Sequence, residues 1–188
     1  MTSPTNSRRN FLKSGGSVIG VSWLAVNTPL ILLAGQTAHT KSAEQAAYEN
    51  LSREEAAELG AIVDQIFPPD ETPGAMETGV VYFIDEALAG FMAGVAPMLR
   101  AGIKDLQHKA SGGRLRNRLF SELSFEHQTG LLREVEDSPF FNTLHFLTML
   151  GMFCLPKYGG NRANAGWNLL GFDHRHAWQP PFGFYDTA

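Results

Sequence analysis

Three features of the sequence predict an all-α protein, a single compact helical domain of five or six helices. Between Leu51 and Leu155 apolar residues recur at steps of three and four, which places them on one face of a helix. Serine caps and prolines, the residues that start and stop helices, separate the stretches that carry this spacing. One stretch, Phe140 to Leu155, is apolar nearly all round, as a helix buried on most sides must be. The other helices are expected to pack around it, and an irregular aromatic arm follows at the C-terminus.

The first helix opens on Leu51-Ser52-Arg53-Glu54-Glu55, a capping box in which Ser52 and Glu55 satisfy each other's backbone amides. Ala56, Leu59, Val63, Ile66 and Phe67 form its stripe, and Pro68-Pro69 ends it. Asp70 to Ala75 reads as a turn with two exposed carboxylates; with no third ligand nearby, Asp70 and Glu71 make a poor metal site. A second helix is expected from about Ala75 to Ala89, with Met76, Val80, Phe83, Ile84, Ala87 and Leu88 on one face and Asp85-Glu86 on the solvated side. Pro97 starts a third, striped by Leu99, Ile103, Leu106 and Ala110 and broken at Ser111-Gly112-Gly113.

Arg114, Arg116 and Arg118 give a local basic patch. Ser124 is placed as the cap of a fourth helix that carries Gln128, Leu131, Leu132 and Val135. Ser138-Pro139 supplies a cap and a first-turn proline for the last long helix. Along that helix Asn142, His145 and Thr148 form the one polar stripe, and His145 reads as a core histidine satisfied by hydrogen bonds. Beyond Phe172 the tail holds Asp173, His174, His176, Trp178, Pro180, Pro181, Phe182, Phe184 and Tyr185. It reads as an extended arm laid on its own helices or on a partner, and three local ligands are too few for a metal.

Composition bounds the function. The 188 residues are 44% hydrophobic with a net charge of −4, which argues for one domain and against nucleic-acid binding. The one cysteine, Cys154, excludes an intramolecular disulfide, an all-cysteine metal site within one chain, and covalent c-type haem. It lies in an apolar run and reads as a buried, inert thiol. The sequence holds no phosphate loop, dinucleotide fingerprint, nucleophile elbow, zinc-protease motif or internal repeat.

The densest stretch is Tyr158-Gly159-Gly160-Asn161-Arg162, continued by Gly166-Trp167 and Gly171-Phe172. Glycines belong where φ is positive or another backbone comes close, so Gly159-Gly160 reads as a tight turn presenting Asn161 and Arg162. Arg162 offers a fork of donors for carboxylates, phosphates or carbonyls, and Trp167 a large apolar face with one N–H. Two readings stay open: these residues meet a partner, or Trp167 and Phe172 plug the domain's own core while Arg162 pins the loop to a helix C-terminus.

At the other end, Ser7-Arg8-Arg9-Asn10-Phe11-Leu12-Lys13 resembles a twin-arginine export signal, with Arg8, Arg9, Phe11 and Leu12 as its key residues. A charge-free stretch from Ser14 to Ala38 follows, so residues 1–43 are assigned to signal and linker and 44–188 to the folded domain. No clean cleavage point stands out between Ala34 and Ala47, and retention as a membrane anchor is the alternative. The twin-arginine route carries folded proteins. A small chain without cofactor motifs has little need of it unless it escorts a partner that binds its cofactor before export.

Three blocks resemble the gluconate 2-dehydrogenase subunit 3 family. They are Ile66 to Ala75, the helix Gly79-Val80-Val81-Tyr82-Phe83-Ile84-Asp85, and Tyr158 to Arg162 with Gly166-Trp167 and Leu170-Gly171-Phe172. The resemblance runs from Leu51 to Phe172. It implies a helical, non-catalytic small subunit of a dehydrogenase complex in the periplasm or on the periplasmic face of the cytoplasmic membrane. It also implies a large FAD-carrying partner of the glucose–methanol–choline type that oxidises a sugar, sugar acid or related alcohol, and often a cytochrome c subunit that takes the electrons. No cofactor, metal or catalytic residue is expected in this chain. The expected role is chaperone-like: it lends its signal to the folded flavoprotein at the twin-arginine translocase and then stabilises it. The rivals are a periplasmic sugar-binding module, stacking sugar on Trp167 and Tyr158 with Asn161 and Arg162 as hydrogen-bonding groups, and a stand-alone enzyme using His145, His127 or His174/His176.

Overall fold

The capping box forms as its sequence requires. The Ser52 hydroxyl accepts from the Glu55 amide at 3.1 Å, and the Glu55 carboxylate accepts from the Ser52 amide at 2.9 Å. From it runs α1, Arg53–Ile66. The structure is a computed structural model that describes residues 26, 28–30, 47–112, 118–156 and 160–175. After α1 come α2 (Val80–Ala89), α3 (Ala96–Ala110), α4 (Phe125–Arg133), α5 (Pro139–Phe153) and the short α6 (Ala165–Leu169). Single 3₁₀ turns lie at Ala93–Val95, Phe120–Glu122 and Arg162–Asn164, and the described residues hold no strand. Among them no single helix is long and apolar enough to cross a membrane.

The core follows the apolar stripes. Leu59, Ile62 and Val63 of α1 meet Val80, Phe83 and Ile84 of α2, Leu99, Ile103 and Leu106 of α3, and Leu144, Leu147 and Met152 of α5. Each such side chain contributes about 1.5–3 kcal/mol by leaving water. Two glycines set how closely helices approach. A Cβ at Gly102 would overlap the Phe140 ring, so α3 can cross the start of α5 only with hydrogen there. At Gly151 a Cβ would stand 3.2 Å from Phe83 and 3.3 Å from Val80, so α5 lies tight on α2.

Several expectations change. The second helix starts at Val80 rather than near Ala75. Residues 75–79 instead form a turn, because Gly79 takes a left-handed φ of 85° that a helix cannot contain, and Met76 ends up exposed. The long helix α5 is buried or half-buried around most of its surface, with Pro139, Asn142 and His145 exposed. On it Thr148 is buried and bonds back to the Leu144 carbonyl at 2.7 Å, whereas Asn142 and His145 are exposed, so the polar stripe is split. His145 is no core histidine; its ring lies over Phe141, centroids 6.4 Å apart. Ser138 caps α5 by accepting from the Phe141 amide at 3.2 Å, but the Ser124 hydroxyl faces Nδ1 of His127 at 2.8 Å and leaves the backbone of α4 alone.

The largest departure concerns carboxylates. Asp85, assigned to the solvated side of its helix, is fully buried. So is Glu58 on α1, whose oxygens accept from the amides of Phe120 and Ser121 at 2.9 Å each. These two amides open the 3₁₀ turn Phe120–Glu122, and the fully buried Phe120 ring rides with them into the core. Replacing Glu58 with alanine strands two amides and leaves a cavity. We expect Glu58→Ala to lower the unfolding free energy by about 2–4 kcal/mol, seen as a shift in the urea midpoint with the slope unchanged. A shift within error of zero would show that the turn is held by something else.

Candidate functional site

An α-helix leaves its last carbonyls without intrahelical partners, and at the end of α5 they belong to Gly151, Met152, Phe153 and Cys154. The densest sequence motif lies on them. Asn161, fully buried, donates from Nδ2 to the Cys154 carbonyl at 2.9 Å and accepts the Gly166 amide on Oδ1 at 2.8 Å. Trp167 donates from Nε1 to the Phe153 carbonyl at 3.0 Å. Gly160 meets the Gly151 carbonyl and Gly166 the Met152 carbonyl so closely that a Cβ on either would overlap the oxygen. The motif is therefore a cap for α5 delivered from later in the chain.

Local backbone geometry serves the same end. Asn161 has a φ of 49°, a left-handed conformation that asparagine tolerates better than most residues, and it turns the chain so that its amide reaches both carbonyl and amide. Gly171, at φ 64°, closes α6 in a Schellman motif. The Phe172 amide bonds to the Trp167 carbonyl at 2.8 Å and the Gly171 amide to that of Asn168 at 3.1 Å. The hydrophobic contact that accompanies this motif is present too, with the Phe172 ring edge-on to Trp167 at 5.5 Å.

The other two sequence blocks arrive at the same place. In the turn after α1, Asp70 accepts from the Thr72 amide and hydroxyl at 2.8 and 2.9 Å, which holds its carboxyl below the usual range. Glu77 accepts from the Gly74 amide at 3.1 Å and Asp64 from the Met76 amide at 2.9 Å. A Cβ at Gly74 would stand 2.7 Å from the Pro69 nitrogen, so the turn closes only around glycine. It presents Thr78, which joins the blocks: its hydroxyl lies 3.2 Å from the Met152 sulfur, and its carbonyl accepts the Arg162 amide at 3.2 Å. Phe67 stands edge-on to Phe153 at 5.7 Å.

This geometry bears on each predicted site residue. Trp167 is 8% exposed with its N–H bonded internally, so it is built into the domain as the core reading had it. Asn161 has no free amide group for a sugar, and Phe172 and His174 cover Trp167, the latter at 4.9 Å between centroids. Arg162 is half-buried, and Gly160, Gly166, Gly171 and Phe172 take the places described above. Tyr158, Gly159, Arg8, Arg9, Phe11 and Leu12 lie outside the described residues, as do Arg114, Arg116 and the tail from His176. Asp173 pairs with Arg175 at 2.8 Å, and the described residues contain no group of three His, Cys, Asp or Glu able to hold a metal ion. Burial pushes the Cys154 thiol up to about 11, so it stays protonated.

Asp85 and Glu58 are the residues that spacing arguments missed. Each falls one turn from buried apolar neighbours, Asp85 from Val81 and Leu88 and Glu58 from Ile62, so a carboxylate on the apolar stripe was the available signal.

Against known proteins, the family model described as gluconate 2-dehydrogenase subunit 3 matches residues 53–173. No curated protein matches the chain, and no solved structure does.

Two outcomes follow from the geometry. Gly160→Ala and Gly166→Ala push a methyl group into a carbonyl of α5, and each should cost at least about 1–3 kcal/mol in chemical denaturation. Asn161→Ala, which leaves a carbonyl and a buried amide unbonded, should cost a similar amount; unaffected stability in all three would remove the capping role. The second outcome concerns pH. Burial pushes the Asp64 carboxyl above its ordinary 3.8 against the Met76 amide, with Glu77 adding to the push. A carboxyl raised in the folded state gives stability that is whole below its unfolded value and is lost as pH rises through its folded one. Asp64→Asn keeps an acceptor for Met76 and removes that titration. Its urea midpoint should therefore gain on that of the wild type as pH rises from about 4 to neutral, and a constant difference would contradict the assignment.

Proposed function

The chain belongs to the gluconate 2-dehydrogenase subunit 3 family, and from that premise we propose that it is the non-catalytic small subunit of a periplasmic FAD-dependent dehydrogenase complex. Its large partner is a glucose–methanol–choline type flavoprotein that oxidises a sugar, sugar acid or related alcohol. The FAD belongs to that partner, and a c-type cytochrome subunit is the expected electron acceptor. This chain binds the folded flavoprotein, lends it the Arg8-Arg9 signal at the twin-arginine translocase, and remains bound at the periplasmic face of the cytoplasmic membrane. Bound there it stabilises the holoenzyme by mass action, by about 2.7 kcal/mol when its free concentration is a hundred times Kd.

The observation that carries this reading is the family match across the folded domain. Two structural features support it. The side chains that stand out in the matched blocks, Asp70, Asp85, Asn161 and Trp167, all bond to backbone groups of this chain, which suits a scaffold better than a catalyst. At the same end of the fold Leu169, Leu170 and Phe172 are exposed, with Leu170 at 65%, and offer the flavoprotein an apolar contact. The hot spot, expected from sequence on Arg162, Trp167 and the aromatic tail, is in this reading assigned to these exposed neighbours of Trp167.

Co-expression with the large flavoprotein of the same genome tests this. A pull-down on this chain should yield a yellow complex, and Arg8→Lys with Arg9→Lys should abolish its export. Leu170→Asp should weaken flavin recovery at least tenfold while leaving the helical circular dichroism unchanged, whereas Trp167→Ala should lose both. A colourless single chain that reaches the periplasm alone would sink the proposal.

A further inference from the structure

The chain enters the domain through a short strap, residues 48–51, and the strap depends on one carboxylate. Asp85, fully buried on α2, accepts the Glu49 amide on Oδ2 at 3.0 Å and the amides of Asn50 and Leu51 on Oδ1 at 2.9 and 2.8 Å. The Asn50 side chain returns a bond to the Asp85 carbonyl at 3.2 Å. The Asn50 backbone carbonyl accepts from Nη2 of Arg100 on α3 at 2.9 Å, while Nε of the same guanidinium lies 2.9 Å from Glu55 in the first turn of α1. The Tyr48 ring packs on Tyr82 with centroids 4.7 Å apart, and Leu51 is buried. Ahead of the strap, Ala47 is exposed.

A peptidase takes its substrate as several residues of extended backbone with free amides and carbonyls, so it cuts exposed, unbonded segments and spares those tied into a fold. The strap has three consecutive amides on Asp85 and a carbonyl on Arg100, and its release requires breaking all of them together. We propose that the Asp85 clasp sets the proteolytic boundary of this protein: enzymes that remove the leader cut on the N-terminal side of Tyr48 and trim no further. The cut consumes one water and breaks one peptide C–N bond, leaving a carboxylate on the leader and an amine on the domain. The clasp joins α2 and α3 to the entry of α1, so it exists only after these helices have packed. A chain that has not folded therefore offers residues 48–51 to proteolysis and a folded one does not. This inference is independent of the flavoprotein partner and of the export route.

The test uses the full chain under native conditions with proteinase K, reading the N-terminus of the surviving N-terminal fragment by mass spectrometry. The wild type should accumulate fragments that begin at or before Tyr48. Asp85→Ala should lose residues 48–51 at least tenfold faster and accumulate fragments that begin near Ser52. Arg100→Met removes one bond to the strap from a partly exposed position, so it serves even if Asp85→Ala does not fold; it should trim at an intermediate rate with its circular dichroism intact. Wild-type protein trimmed to Ser52 as fast as the leader is lost, or folded Arg100→Met protein trimmed at the wild-type rate, would overturn the proposal.

Discussion

The carbonyl groups at the C-terminus of α5 are the constraint on which this fold turns. A helix that ends inside a domain must find donors for them, because a buried, unbonded carbonyl costs about 1–3 kcal/mol. Here the donors are side chains, Nδ2 of Asn161 and Nε1 of Trp167, brought back by a turn that only glycine allows at positions 160 and 166. That requirement fixes where α6 lies, and α6 in turn fixes Phe172 through its Schellman closure. It also reaches forward in the sequence, since the Arg162 amide ties the cap to Thr78 and so to the turn that follows α1. The three blocks that stand apart in the sequence are one structural unit.

The two buried carboxylates apply the same chemistry in reverse. Glu58 and Asp85 carry acceptors into the core to meet backbone amides of connecting segments, a single 3₁₀ turn for Glu58 and the strap before α1 for Asp85. An isolated buried carboxylate would be prohibitive, but one that accepts two or three backbone amides is compensated by strong charge-assisted bonds. Both hold connecting chain against α-helices, and among the described residues no buried side-chain polar atom lacks a partner. The domain is thus assembled from helices by ordinary apolar packing, and polar side chains, among them Glu58, Thr78, Asp85, Asn161 and Trp167, make its joints.

Much of this was legible in the sequence, for local reasons. The Ser52 box, the Ser138-Pro139 start and the stripes of α1 and α3 are set by residues three or four positions apart, and each forms where its spacing places it, whereas the stripe of α2 holds only from Val80 onward, without Met76. Polar side chains whose partners are distant in sequence were not legible. Asp85 bonds to amides 34 to 36 residues away and Glu58 to amides 62 and 63 away, and the local sign of such a carboxylate is no more than its place on the apolar stripe. His145 fails for the opposite reason, because an apolar helix need not be buried on every side. The motif around Asn161 was recognisable as unusual, but its composition suits a partner surface and a helix cap equally, and only the position of the α5 carbonyls separates the two.

Trp167 stands fourteen residues after the carbonyl it caps. In a chain made from its N-terminus, α5 therefore leaves the ribosome with its last turn bare, and the donors that complete it follow roughly one to three seconds later at ordinary rates of synthesis. Until then α5 can pack its middle but cannot seal its end, and the exposed carbonyls favour fraying over docking. The segment that carries Trp167 thus fastens this end of the domain only after α5 has been made, and a ribosome that stalls short of Trp167 leaves the fold open at that end.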